Sequence, residues 1–81
     1  MSIFDQLADD LARDVLKVQD KLGDDRLYEE LARMIGASST TLEELFMTAM
    51  RVRMAERRAR LYLDNHIRKA MAEKTLPKPE A

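Results

Sequence analysis

The chain contains no cysteine and no tryptophan, and only two glycines and two prolines among its 81 residues. Without cysteine, a disulfide framework, a thiolate metal site and a thiol nucleophile are all excluded. Few helix-breaking residues, together with 46% hydrophobic and 36% charged residues, are typical of helical bundles. We therefore expect an all-α fold, a small three-helix domain with a long C-terminal helix.

Long apolar runs are also absent from the sequence. Nowhere do about eighteen apolar residues stand together, which is the length that a membrane span requires, and the N-terminal residues lack a basic segment followed by an apolar one. The lack of cysteine is compatible with a reducing compartment. These features favour a cytoplasmic protein that makes no contact with a membrane.

The residues needed for catalysis are scarce. His66 is the only histidine. It has no second histidine with which to form a metal site, and no cysteine with which to form a nucleophilic triad. Two glycines cannot build a glycine-rich phosphate cradle, and adjacent acidic pairs on a helix diverge by about 100°. We expect no enzyme activity, no catalytic residue, no cofactor, no metal and no small-molecule substrate.

The first helix is predicted over residues 2–22. Ser2 is a typical N-cap residue, and Gly23 supplies the left-handed position at which helices commonly end. Apolar residues repeat at spacings of three and four, which predicts an amphipathic helix. Its expected core stripe contains Phe4, Leu7, Ala8, Leu11, Val15, Val18 and Leu22.

Two further helices are predicted after Gly23. The second begins at Asp24 or Asp25, stops before Gly36 and has a core face. That face is formed by Leu27, Leu31, Met34 and Ile35.

Residues 37–41 form the expected connector to the third helix, and a capping box at its start pairs Thr40 with Glu43 or Thr41 with Glu44. No glycine or proline follows before Pro77, so the third helix is expected to reach about Lys74, roughly 50 Å at 1.5 Å per residue. We expect a single domain over residues 1–76 and a disordered tail over 77–81.

Apolar residues lie on two sides of the third helix. A heptad seam, interrupted by Glu56 and His66, contains Leu42, Leu45, Ala49, Val52, Ala59, Leu63 and Ala70. A second set on another side contains Met47, Met50, Met54 and Leu61. Either both sets are core, or the second is buried against another chain. That chain is either a second copy or a different target. We predict a homodimer built largely on the third helix, and we assign the second set as protein-interface residues.

Charge is distributed unevenly along the chain. Residues 1–44 contain eleven acidic and five basic side chains, a net charge of −6, whereas residues 45–81 contain four acidic and nine basic, a net charge of +5. The two halves should attract each other. The predicted basic patch of the third helix contains Arg51, Arg57, Arg58 and Arg60, and Arg53 lies in the same arginine cluster. These arginines could bind phosphates, or pair with helix 1 aspartates and with their own neighbours.

Residues 28–47 resemble the helix-turn-helix motif of transcription regulators. Ala32 and Gly36 have the family's spacing between a small residue and the turn glycine. Hydrophobic positions of the motif are matched by Leu31, Ile35, Leu42 and Leu45, and residues 37–41 look like its polar turn. The resemblance implies that bases would be read from Ser38, Ser39, Thr40 and Glu43, with Glu44 beside them.

Two functions follow from these patterns. The favoured one is a small non-enzymatic regulatory or adaptor protein that binds a protein partner of unidentified kind and self-associates. The alternative is a dimeric helix-turn-helix DNA-binding regulator, for which nucleic acid is the partner.

Overall fold

A computed structural model describes residues 2–75 of the chain. Within this range there are three α-helices and no strand: α1 (Ile3–Leu22), α2 (Leu27–Ser38) and α3 (Thr40–Thr75). The all-α class and the long third helix are confirmed. Residue 1 and the expected tail at 77–81 lie outside the described residues, so the domain limits stay a prediction.

Both ends of α1 are where the sequence predicts them. The Ser2 hydroxyl oxygen accepts a hydrogen bond from the Asp5 backbone N–H at 3.2 Å, which satisfies one of the free donors of the first turn. At the other end, Gly23 has a φ of 67°, and its N–H donates to the Gln19 carbonyl. Only glycine adopts this left-handed conformation without strain.

α2 begins later than predicted, at Leu27. The expected cap residue Asp24 instead closes the preceding turn, because its Oδ1 accepts from the Arg26 N–H at 3.0 Å. The first turn of α2 receives its side-chain acceptor from α1: Gln19 Oε1 accepts from the Tyr28 N–H at 2.8 Å. Gln19 is the buried polar residue of the core, at 5% exposure.

Replacing Gln19 by alanine is therefore expected to destabilise the fold by about 1–2 kcal/mol, since a partly buried backbone donor loses its acceptor. Urea unfolding followed by circular dichroism at one protein concentration measures this change. Gln6→Ala is the matched control, because Gln6 is exposed on the same helix. Equal losses in the two variants would contradict the assigned role of Gln19.

The joint between α2 and α3 is shorter than predicted. α2 continues through Gly36 to Ser38, since Gly36 does not have a positive φ, and Ser39 alone separates it from α3. The Ser39 hydroxyl accepts from the Leu42 N–H at 3.1 Å and so caps α3. The predicted connector over 37–41 and the caps at Thr40 or Thr41 are therefore wrong by one or two residues.

The core lies where the three helices meet. Its buried apolar side chains are Ala8, Ala12, Val15, Leu16, Ala32, Ile35, Phe46 and Met50. Phe46 and Met50 are the largest fully buried side chains, and both lie in one cluster with Ala12. The small Ala12 leaves space for them, so α1 turns its alanine side toward α3.

Part of each predicted core face is exposed as a result. On α1, the exposed members of the predicted stripe are Phe4, Leu7, Val18 and Leu22. On α2, Ile35 is buried and Leu27 and Leu31 pack against the core, whereas Met34 is exposed. These assignments were wrong because α3 covers only one sector of each shorter helix.

α3 is one unbroken helix of 36 residues. We call residues 58–75 the overhang, because from Arg58 to Lys74 every side chain except Ala70 is exposed. The described chain measures 66 × 30 × 15 Å, with a radius of gyration of 18.7 Å, against about 12 Å for a compact chain of this length. Within residues 2–75, no helix combines the length and the continuous apolar character that a membrane span requires.

Candidate functional site

The methionine side of α3 faces α1 and α2. Met50 has no exposed surface, and Met47 and Met54 are partly buried against the core cluster. Of the two interpretations of this set, the one that places it in the core of the monomer therefore describes these three methionines. Met50 has no exposed surface that a partner could contact. Leu61 alone among the four predicted interface residues is exposed, at 60%.

Two arginines of α3 bind aspartates of α1. Arg53 donates two hydrogen bonds to the Asp9 carboxylate, at 2.8 and 2.9 Å. Arg57 donates two to the Asp20 carboxylate, at 3.0 and 2.8 Å. These paired N–H donors match the carboxylate geometry. They join the two oppositely charged halves of the chain, and Arg57 of the predicted basic patch is thereby paired within the monomer.

These ion pairs lower the pKa of both aspartates. Hydrogen bonds from Arg53 hold the pKa of the Asp9 carboxyl below its ordinary value of 3.8, and those from Arg57 do the same to the pKa of Asp20. A carboxyl with a lowered folded-state pKa stabilises the fold above its ordinary pKa. That stabilisation is lost as the pH falls through the lowered value.

The double variant Asp9→Asn/Asp20→Asn is accordingly expected to lose less stability than the wild type when the pH falls from about 5 to about 2. At neutral pH the same variant should be less stable than the wild type. Thermal unfolding across this pH range measures the difference. Asp25→Asn is the control, because Asp25 is exposed and binds no arginine within residues 2–75. If the unfolding temperature of the double variant fell with pH as steeply as that of the wild type, the assignment would be refuted.

The remaining arginines divide into paired and unpaired ones. Arg60 pairs with Glu56 one turn earlier on α3. Arg51 and Arg58 are exposed and form no ion pair within the described residues 2–75. With Leu61 they lie along one side of α3, seven and three residues apart. We call Arg51, Arg58 and Leu61 the basic face.

A different side of α3 carries the predicted heptad seam. Leu42 and Ala49, in its first half, are partly buried and pack against the core. The positions after Leu42, which we call the outer seam, are Leu45, Ala49, Val52, Glu56, Ala59, Leu63, His66 and Ala70. Val52 and Leu63 are 62% and 53% exposed. An open groove beside its first half is lined by Asp5, Asp9, Leu45, Thr48, Ala49 and Val52.

The overhang exposes large apolar side chains throughout. Leu61, Tyr62, Leu63, Ile67 and Met71 are each between 50% and 74% exposed. The Tyr62 and His66 rings stack, with centroids 6.4 Å apart. Tyr62 and Ile67 were not among the predicted contact residues, although both are apolar and flank the seam in the sequence.

The residues predicted to read DNA all lie at the joint between α2 and α3. Ser38 ends α2, Ser39 caps α3 and Thr40 is the first residue of α3. The Glu43 side chain folds over Gly36, so closely that a Cβ on Gly36 would lie 2.7 Å from the Glu43 carboxyl carbon. Base reading by these residues stays a prediction.

No family model matches this chain, and comparisons with curated proteins and with solved structures give no match. Within residues 2–75, no group of three or more acidic or histidine side chains is placed to hold a metal ion. Within residues 2–75, two sides of α3 stay largely exposed: the basic face, and the outer seam from Val52 onward.

Proposed function

We propose that this protein is a non-enzymatic helical adaptor, in which α3 joins two copies of the chain and presents its basic face to an acidic protein partner. The observation that carries the proposal is the overhang, where five large apolar side chains are at least half exposed on a helix that extends beyond its own domain. Apolar surface of this kind marks contact sites in proteins that do not span membranes.

Covering the overhang is energetically favourable. Fully burying a leucine- or isoleucine-sized side chain contributes about 1.5–3 kcal/mol. Helical segments of this length gain little stability from the backbone alone and depend on packing of an apolar face. A second helix along the overhang would supply that packing, and homodimers are the most frequent way to provide one.

The basic face supplies the contact with a different partner. Arg51 and Arg58 have no carboxylate partner in the described chain, so their guanidinium groups can bind carboxylates of another protein. Leu61 lies beside them as an exposed apolar contact. The geometry favours a partner segment that combines acidic side chains with an apolar one.

Charge reversal on the basic face tests this contact. Full-length protein carrying Arg51→Glu/Arg58→Glu should lose the partner that wild-type protein captures from a nuclease-treated native extract. The matched control is Arg26→Glu/Arg33→Glu, which makes the same charge change at exposed arginines without ion pairs in residues 2–75. Capture that survives reversal of Arg51 and Arg58, or that both variants lose equally, would refute the assignment.

DNA binding is the second candidate function. The resemblance to helix-turn-helix motifs suggests it, and Arg51 and Arg58, which form no ion pair within residues 2–75, can contact phosphates. Phosphate contacts weaken steeply as salt is added. A titration with random duplex DNA at low and moderate salt distinguishes the functions: salt-sensitive micromolar binding would favour the DNA-binding regulator, and no binding at low salt would eliminate it.

A further inference from the structure

We infer that the outer seam is covered by a second copy of this chain, packed antiparallel around a two-fold axis level with the peptide bond between residues 57 and 58. This inference rests on the proposed self-association and adds the occupant's orientation and register. Three properties of the seam support it: its spacing, the sizes of its side chains and the charge of the segments that would become neighbours.

The spacing of the outer seam is the same in both directions. From Leu45 to Ala70 its positions are separated alternately by four and three residues, beginning and ending with four. An antiparallel copy therefore places every seam position opposite another one. The four pairs are Leu45 with Ala70, Ala49 with His66, Val52 with Leu63, and Glu56 with Ala59.

Side-chain size favours this pairing over a parallel one. Three of the four pairs put a long side chain opposite alanine, and the fourth joins Val52 to Leu63. Each layer then has a similar width, as close packing requires. In a parallel pair each residue would meet its own copy, so that two layers would contain paired leucines and three would contain paired alanines, which leave gaps.

Charge selects the same orientation. Parallel packing would set the two Glu56 carboxylates at the same level in the seam, and like charges across an interface are costly. Antiparallel packing separates them by about 4.5 Å along the axis and gives each glutamate an alanine as its opposite residue. Residues 2–57 contain twelve acidic and eight basic side chains, net −4, whereas the overhang contains two acidic and five basic ones, net +3. Antiparallel packing places each positive overhang along the negative domain of the other copy.

The groove between α1 and α3 fits the same arrangement. Its walls include Asp5 and Asp9 on α1 and Thr48 on α3. In the inferred register, Ile67 of the second copy is level with Thr48, so this half-exposed side chain would lie at the groove. The basic face lies outside the seam and stays open in both copies, so the dimer would present two such faces.

Cysteine cross-linking tests the orientation, because the native chain contains no thiol. Val52→Cys and Leu63→Cys are made separately in full-length protein, tagged differently, mixed and oxidised under native conditions. Antiparallel packing should give mainly the disulfide between positions 52 and 63. Two thiols introduced at position 52 of both copies would then be separated by about 16 Å along the axis, beyond the reach of a disulfide.

Each of the other outcomes would contradict a different part of the inference: the orientation, the surface or self-association itself. Disulfides joining 52 to 52 and 63 to 63 would show parallel packing and leave self-association intact. Asn65→Cys, at a position off the seam, is the control for cross-linking yield. If the protein sediments as a dimer but the seam cysteines cross-link no more than this control, another surface forms the contact. A monomer in sedimentation would refute self-association itself, and with it this part of the proposed function.

Discussion

Replacing Phe46 by alanine is expected to lower the free energy of unfolding by about 3–5 kcal/mol. Phe46 is fully buried, with Met50 one turn later on α3 and Ala12 of α1 in the same cluster. A chain of 81 residues has a total stability of roughly 4–12 kcal/mol, so this single change removes a large share of it. Urea unfolding at one protein concentration measures the loss.

Phe4→Ala is the matched control for that experiment. The same side chain is removed, but Phe4 is 56% exposed on α1, so we expect a loss below about 1 kcal/mol. Similar losses in the two variants would mean that the α1–α3 contact does not form as described.

Replacing Leu63 by lysine is expected to weaken dimerisation by about 100-fold or more. The two-fold arrangement contains this leucine twice, so each substitution removes two apolar contacts and places two ammonium groups in the seam. Losing roughly 1.4 kcal/mol per leucine would alone give this factor. Sedimentation equilibrium over a range of protein concentrations yields the dissociation constants.

Leu61→Lys separates the two sides of α3. Leu61 is two residues from Leu63 and similarly exposed, but it belongs to the basic face. The dissociation constant of the dimer should therefore stay within a few-fold of the wild-type value, while capture of the acidic partner should fall. Equal weakening of the dimer by both lysine variants would show that the outer seam is not the contact between copies.

The helices were predictable because their signals are local. The cap at Ser2, the left-handed Gly23 and the absence of a breaker before Pro77 each act within a few residues, and they defined α1 and the length of α3. The start of α2 was not predictable in this way. Its acceptor is the Gln19 side chain, which reaches Tyr28 across a turn.

The face of α3 that packs on α1 was misread for a physical reason. The contacting positions are Phe46 and Met50, followed by Arg53 and Arg57, which continue the same side of the helix as ion pairs. Apolar periodicity does not reveal this side of the helix, because its contacts with α1 are apolar at first and are then made by arginines. The charge asymmetry predicted that the halves attract, but which aspartate meets which arginine depends on how α1 crosses α3.

The central claim is that the outer seam along the overhang is covered by a second copy of the chain. Sedimentation equilibrium of the wild-type protein at tens of micromolar tests it most directly. We expect a mass of twice the 9.4 kDa of one chain, falling toward 9.4 kDa on dilution. A mass that stays at 9.4 kDa at every concentration would contradict the claim.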